Sequence, residues 1–211
     1  MIKVIKLKLY NKTNSCYTHF LIDDEVVDIK LHFDIVLKHK LSKNQILSKK
    51  EFEELIFDNN LLYAKNMAYT YATYKMRTEK EVIEKLRRKD YNETIIERCL
   101  EFLKEFKLLN DYNYAQLFAK EKAKSKLWGK YRIKTELLKK GVKSNIIEDA
   151  IYNSFPEEEN YNIALESAKK KYRQIKYKKD PIKIKMSLSS YLQRNGFDFE
   201  TINKVIEEII E

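Results

Sequence analysis

The sequence predicts a mainly α-helical protein, built from tandem three-helix repeats of helix-turn-helix type in an elongated array, with a small amino-terminal β-hairpin or sheet. A 15-residue pattern recurs three times at spacings of 51 and 55 residues, which suit a unit of three helices rather than two. The 211 residues include 35% charged residues but only three glycines and two prolines, as expected for helical layers. Residues 2–9 alternate apolar and lysine side chains, the pattern of a half-buried strand.

The repeat is defined by aligning residues 86–100, 137–151 and 192–206, the last with one inserted residue. This alignment places Asp90, Gly141 and Gly196 in one register. Apolar anchors also align in the three copies: Val82, Leu86 and Ile95; Ile133, Leu137 and Ile146; Leu188, Leu192 and Ile202. We therefore predict a hairpin plus short helices at 1–60, followed by repeats at 61–111, 112–159 and 160–211.

The first sixty residues begin as a sheet and change to helical periodicity. Strands are predicted at 2–9, 17–22 and near 26–29, and a short helix at 31–38. Ser48 and Glu51 form a capping box that opens a second helix. We expect that helix to end at Asn59-Asn60 and the next helix to run from about 61 to 76.

Helix signals continue through the repeats. Thr78 and Glu81 form a second capping box, which starts the middle helix of the first repeat. Asp111 is predicted to cap the first helix of the second repeat. Gly129 and Gly141 bracket a helix of about ten residues. Asp180-Pro181 marks a helix start in the third repeat.

Three segments carry a family resemblance: KMRTEKEVIEKL (75–86), LLNDYNYA (108–115) and GKYRIKTELLKKGV (129–142). In this tandem arrangement they resemble the RecX family, bacterial regulators of the RecA recombinase, over roughly residues 60–211. The resemblance implies a non-enzymatic regulator in recombination, DNA repair and the SOS response. Such a protein is expected to bind along the groove of the RecA filament on single-stranded DNA and to modulate RecA activity, with inhibition as the expected direction.

Two basic runs predict a polyanion-binding track. Residues 120–143 hold ten Lys or Arg against two Glu, and residues 169–185 hold nine against one Asp, in a chain of net charge +10. Because the runs fall in adjacent repeats, we expect them to join into one track. The candidate residues for contact with RecA or DNA are Arg88, Lys124, Lys126, Lys130, Arg132, Lys139, Lys140, Lys170, Arg173, Lys178 and Arg194.

Three of these basic residues occupy the same position in the aligned repeats. Arg88, Lys139 and Arg194 each precede the same turn of the repeat, so a regular stack predicts a basic ladder along the array. Both Lys139 and Lys140 are expected to be exposed. Trp128 and Tyr131 lie between the basic clusters and allow two interpretations. In the first, they are interface anchors or stacking platforms for a partner; in the second, Trp128 fills the seam between helices.

Signals for catalysis and cofactors are weak in this sequence. His19, His32 and His39 have no partner at metal-ligand spacing, and Cys16 and Cys99 lie far apart, so neither a zinc site nor a disulfide is predicted. We expect no catalytic residues, metal or cofactor. Without an apolar run long enough for a membrane span, the chain is expected to be a cytoplasmic monomer that does not enter membranes.

A second function is also compatible with the sequence: a basic helical DNA-binding protein that acts through phosphate contacts alone. A purely structural helical scaffold is a third reading, but it would not require the charge. Salt discriminates the first two, because phosphate-dominated binding falls steeply with log salt.

Overall fold

A computed structural model describes residues 1–10, 14–154, 156–177 and 180–210. These residues form four strands and ten helices. The chain divides into two compact units. The first comprises Met1–Lys75 and Ile83–Leu108, and the second comprises Met76–Val82 and Leu109–Glu211.

The first unit begins with an antiparallel sheet of strand order β3-β2-β1-β4. The strands are β1 (Ile2–Tyr10), β2 (Ser15–Ile22), β3 (Glu25–His32) and β4 (Ile46–Leu47). The three predicted strands are confirmed and are longer than predicted. The two-residue strand β4, which pairs with Ile2 and Lys3, was not predicted.

A β-bulge interrupts β1 between Val4 and Lys6. Val4 lies opposite Phe20 and is fully buried, whereas Lys6 lies opposite His19 and is exposed. In a regular strand, residues 4 and 6 would share a face, so the extra residue turns the lysines of the second half of β1 away from the core.

Helices α1 (Phe33–Lys38) and α2 (Lys49–Tyr74) follow the sheet. The capping box of Ser48 and Glu51 is confirmed. The predicted start of α1 at residue 31 is two residues early. The predicted helix end at Asn59-Asn60 is wrong, because α2 continues through both residues to Tyr74. Asn59 is 4% exposed; its amide donates to the Lys30 carbonyl (3.2 Å) and accepts from the His32 amide (2.9 Å), so it clamps the edge of β3.

Helices α3 (Glu79–Arg87) and α4 (Glu93–Glu105) complete the first repeat. Asn92 caps α4 by accepting a hydrogen bond from the Ile95 amide (2.9 Å). Cys99 of α4 is buried, and burial raises the pKa of its thiol to about 11. This cysteine is therefore a packing residue at neutral pH.

Six helices form the rest of the second unit: α5 (Asp111–Lys126), α6 (Lys130–Lys139), α7 (Ser144–Ser154), α8 (Glu157–Ile175), α9 (Pro181–Arg194) and α10 (Phe199–Ile210). The predicted cap of α5 is wrong by one residue. Asn110 caps it by accepting from the Asn113 amide (3.0 Å), while Asp111 accepts from the Glu79 amide (3.0 Å). None of the described helices combines the length and apolar character needed to cross a bilayer.

One turn recurs at the end of the second helix of every repeat. Asp90, Gly141 and Gly196 have φ angles of 59°, 81° and 86°, in the left-handed region. The residue after each of them donates its amide to the carbonyl of a leucine five positions earlier, the hydrogen bond of a Schellman motif. These leucines, fully buried in all three repeats, are Leu86, Leu137 and Leu192.

The shared turn confirms the tandem three-helix architecture and the sequence register. One anchor differs from prediction: Ile146 is half-buried, and its neighbour Ile147 is the fully buried residue of α7. The limits of the repeats at 61–111, 112–159 and 160–211 stay a prediction.

Candidate binding surface

The middle helices of successive repeats meet end to end in the second unit. The Gly129 amide donates to the Asn195 carbonyl (2.8 Å) and the Tyr131 amide to the Gly196 carbonyl (3.1 Å), which joins the start of α6 to the end of α9. A Cβ on Gly129 would lie 2.4 Å from the Gly196 oxygen, and one on Gly196 would lie 2.1 Å from the Arg132 nitrogen. Both glycines are needed for this approach.

The start of α3 meets the end of α6 in the same way. Thr78 Oγ1 donates to the Lys140 carbonyl (2.8 Å) and Lys80 Nζ to the Lys139 carbonyl (3.1 Å). The positive end of one helix dipole thus faces the negative end of the next, which is a favourable arrangement. The last turns of α6 and α9 are therefore partly covered, and this limits which of their basic residues are accessible.

Lys140 is one of the residues that this contact covers. Its ammonium lies 2.8 Å from the Glu81 carboxylate, and its side chain is 30% exposed, so the predicted exposure of Lys140 is wrong. Burial alone would raise the pKa of Glu81, but hydrogen bonds from Lys140 and from the Thr78 amide outweigh it and lower that pKa. Burial also lowers the pKa of Lys140, and its bonds to Glu81 and Tyr114 more than reverse that effect. The pair is thus a structural contact.

Arg132 also holds the stack together. Its guanidinium donates to Asn195 Oδ1 (2.7 Å) and lies 4.2 Å from the centre of the Trp128 ring. Trp128 is half-buried and packs against the core of the second unit, with the Phe118 ring 6.5 Å away. These contacts favour the interpretation that Trp128 fills the seam between helices.

A groove of about 720 Å³ lies where α6 begins and α9 ends. Tyr131, Arg132 and Arg194 line it, together with Tyr191 and Gln193. Tyr131 is 62% exposed, so its ring is available to a partner. The structure thus brings Arg194, a residue of the predicted ladder, beside Tyr131, the exposed aromatic residue of the basic run at 120–143.

The other candidate residues differ in exposure. Burial alone would raise the pKa of Asp198, but hydrogen bonds from Thr201 and, to a smaller extent, the charge of the half-buried Lys130 lower that pKa. Lys178 lies outside the described residues. The exposed candidates are Arg88, Lys124, Lys126, Lys139, Lys170, Arg173 and Arg194.

Five of the exposed candidates stand out because their side chains form neither an ion pair nor a hydrogen bond within the described part of the chain. They are Lys124 and Lys126 at the end of α5, Lys170 and Arg173 in α8, and Arg194 at the end of α9. By contrast, Lys139 is bonded to Glu136 (2.7 Å) and Arg88 to the Glu84 carbonyl (3.1 Å). Uncompensated cations on helix surfaces are suited to phosphate or carboxylate partners.

Comparison with known proteins identifies the family. Models described as the first, second and third three-helix domains of RecX match residues 64–103, 110–151 and 157–206. This chain belongs to the RecX family. Membership confirms the resemblance of the three sequence segments and agrees with the repeat turn at Asp90, Gly141 and Gly196.

Relatives in the RecX family match most of the chain. "Regulatory protein RecX" of Clostridium acetobutylicum is 37% identical over 188 residues, which cover 88% of this chain and 87% of that protein. The protein of the same description from Clostridium beijerinckii is 32% identical over 211 residues, covering 100% of this chain and 97% of that one. These are regulatory proteins by description, and none of the names denotes an enzyme.

Solved RecX structures share the fold. The crystal structure of RecX from Lactobacillus salivarius is 28% identical, with a TM-score of 0.66, and covers 72% of this chain and 97% of that one. A second structure, described as regulatory protein RecX, covers 98% of this chain and 100% of that one with a TM-score of 0.74. At 21% identity, this second likeness concerns the fold alone.

Proposed function

We propose that this chain is a non-enzymatic regulator of the RecA recombinase, which binds the RecA filament on single-stranded DNA and inhibits its activity. The observation that carries the proposal is membership of the RecX family across all three three-helix domains. Because its partner assembles on chromosomal DNA, the regulator acts in the cytoplasm, and it acts as a monomer.

The basic residues of α5 and α8 support this proposal. Lys124, Lys126, Lys170 and Arg173 offer positive charge without a partner in the described residues, and a filament of DNA and protein is a polyanion with many equivalent sites. A chain of linked repeats gains affinity when several weak contacts form together. Tight binding then needs no single deep pocket.

Lys140 and Arg132 are removed from the set of contact residues that we propose. Their bonds to Glu81 and Asn195 stabilise the repeat stack. Arg194 and Tyr131, at the groove between α6 and α9, stay in the set, as does Lys139.

The deciding experiment measures ATP hydrolysis by the cognate RecA on single-stranded DNA while this protein is titrated in. Binding of the protein to the same DNA without RecA is measured in parallel. Suppression at a small fraction of the RecA concentration, where little DNA is covered, supports filament regulation. Suppression that occurs only when the protein saturates the DNA contradicts it, and a DNA-binding protein acting through phosphate contacts takes its place.

A further inference from the structure

The solvent face of the amino-terminal sheet carries a second cluster of lysine and aromatic side chains. Cross-strand pairing places Lys8, Tyr17 and Lys30 side by side on β1, β2 and β3. The neighbouring row is Lys6, His19 and Asp28. Because directly opposed residues share a face of the sheet, these two rows form one surface.

The β-bulge in β1 creates this surface. Without it, Lys6 and Lys8 would lie on the same face as the buried Val4. The other face is already used, since Phe20 packs edge-on against Phe52 of α2 with ring centres 5.1 Å apart. A bulge that re-aims lysines into solvent beside an aromatic residue is typical of a binding surface rather than of core packing.

Charge and ring exposure define what the surface fits. Lys6, Lys8 and Lys30 are exposed, and the acid in these rows, Asp28, is bonded to His19. Tyr17 is 42% exposed and Tyr10 40%, with ring centres 5.3 Å apart at an angle of 74°. Lysines that flank exposed aromatic rings match a chain of alternating phosphates and unpaired bases.

We propose that this sheet face binds single-stranded DNA, with a base stacked on Tyr17 and phosphates on Lys6, Lys8 and Lys30. A duplex fits less well, because its bases are stacked inside and cannot reach the tyrosine rings. The choice of DNA over RNA rests on the proposed function, which places the protein on a DNA filament. The sheet then holds DNA independently of the helical repeats.

The first test measures binding of the full chain to a fluorescent 20-nucleotide oligothymidylate. The triple variant Lys6→Gln, Lys8→Gln, Lys30→Gln is compared with the matched triple Lys43→Gln, Lys49→Gln, Lys50→Gln, which removes the same charge from exposed positions of the same unit. We expect the sheet triple to weaken binding and to make the slope of log affinity against log salt shallower by about 2. Equal effects of the two triples would overturn the proposal.

The second test examines the stacking residue. Tyr17→Leu is expected to weaken binding roughly tenfold, whereas Tyr17→Phe keeps the ring and should bind like the parent. Tyr74→Leu, at a tyrosine that is 87% exposed at the end of α2, is the control. Photocrosslinking with an oligonucleotide that contains 5-iododeoxyuridine should label Tyr17. Labelling confined to α5 and α8 would contradict a site on the sheet.

Two further outcomes identify the ligand class and separate the proposals. If the sheet triple loses RecA suppression while oligothymidylate binding is unchanged, the face binds protein and the DNA proposal fails. Binding of oligouridylate by the sheet without binding of oligothymidylate would also overturn it. If the parent does not suppress RecA hydrolysis, the proposed function fails, whereas the sheet site is judged by oligothymidylate binding alone.

Discussion

The ammonium of Lys140 lies 2.8 Å from the carboxylate of Glu81, a residue 59 positions earlier in the chain. The contact joins the first turn of α3 to the last turn of α6, beside the hydrogen bond from Thr78 to the Lys140 carbonyl. A lysine within a basic run is thus a structural residue, because its charge is used inside the protein.

Glu81→Gln is predicted to destabilise the protein by about 1–2 kcal/mol, since it leaves the half-buried ammonium of Lys140 without its counter-charge. Urea denaturation at pH 7 measures the effect. Lys139→Gln is the control; the ammonium of Lys139 is bonded only to Glu136 among the described residues, and its side chain is 65% exposed, so little change is expected. Equal loss in both variants would contradict the structural role of the Glu81 pair.

The effect of Glu81→Gln is predicted to depend on pH. Because the pKa of Glu81 is lowered in the folded protein, its contribution to stability is present above the ordinary value of 4.5 and is lost as the pH falls further. The difference in unfolding free energy between the parent and the variant should therefore shrink below pH 4.5. A difference that stays constant to pH 3 would show that the carboxylate charge is not responsible.

Leu137→Ala is predicted to destabilise the protein by roughly 2–5 kcal/mol, because it opens a cavity at a fully buried position of the repeat turn. Leu138→Ala is a matched control one residue away, at a side chain that is 46% exposed, and should cost less than about 0.5 kcal/mol. Thermal and urea unfolding measure both. Similar losses would show that the packing register of α6 is wrong.

Gly196→Ala is predicted to be more harmful than either leucine variant, because a Cβ there meets the Arg132 backbone at 2.1 Å and φ is +86°. Asp90 holds the equivalent left-handed position with φ of 59°. Asp90→Gly should therefore stabilise the protein by about 0.5–1 kcal/mol, since glycine adopts that conformation without steric strain. Calorimetry that shows opposite signs for the two variants supports the shared turn, and equal signs argue against it.

The repeat was predictable from sequence because its signals are local. A buried leucine followed by a left-handed residue recurs in each copy, so alignment of Leu86, Leu137 and Leu192 gave the correct register. Local signals also identified the capping box of Ser48 and Glu51, and the alternation of apolar and lysine side chains that predicted strand β1. These features depend on neighbours within one or two turns of chain.

The features that sequence reasoning missed depend on distant partners. Asn59 is read as a helix end by its propensity, but its bonds to the edge of β3 keep it inside α2. Lys140 is read as a solvated lysine because nothing near it in sequence shows Glu81. The bulge at Val4 and Lys6 had a visible signal, since Val4 and Ile5 are adjacent apolar residues that break the alternation of β1.

The basic surface of α5 gives the last prediction. Lys124→Gln with Lys126→Gln should raise the concentration needed for half-maximal suppression of RecA hydrolysis several-fold, because both side chains are exposed and unpaired within the described residues. Lys49→Gln with Lys50→Gln removes the same charge from α2 and should have little effect. The two pairs are compared at two salt concentrations, with unfolding curves to confirm equal stability. If both pairs weaken suppression equally, net charge rather than the α5 surface governs binding, whereas loss restricted to Lys124 and Lys126 assigns the contact to α5.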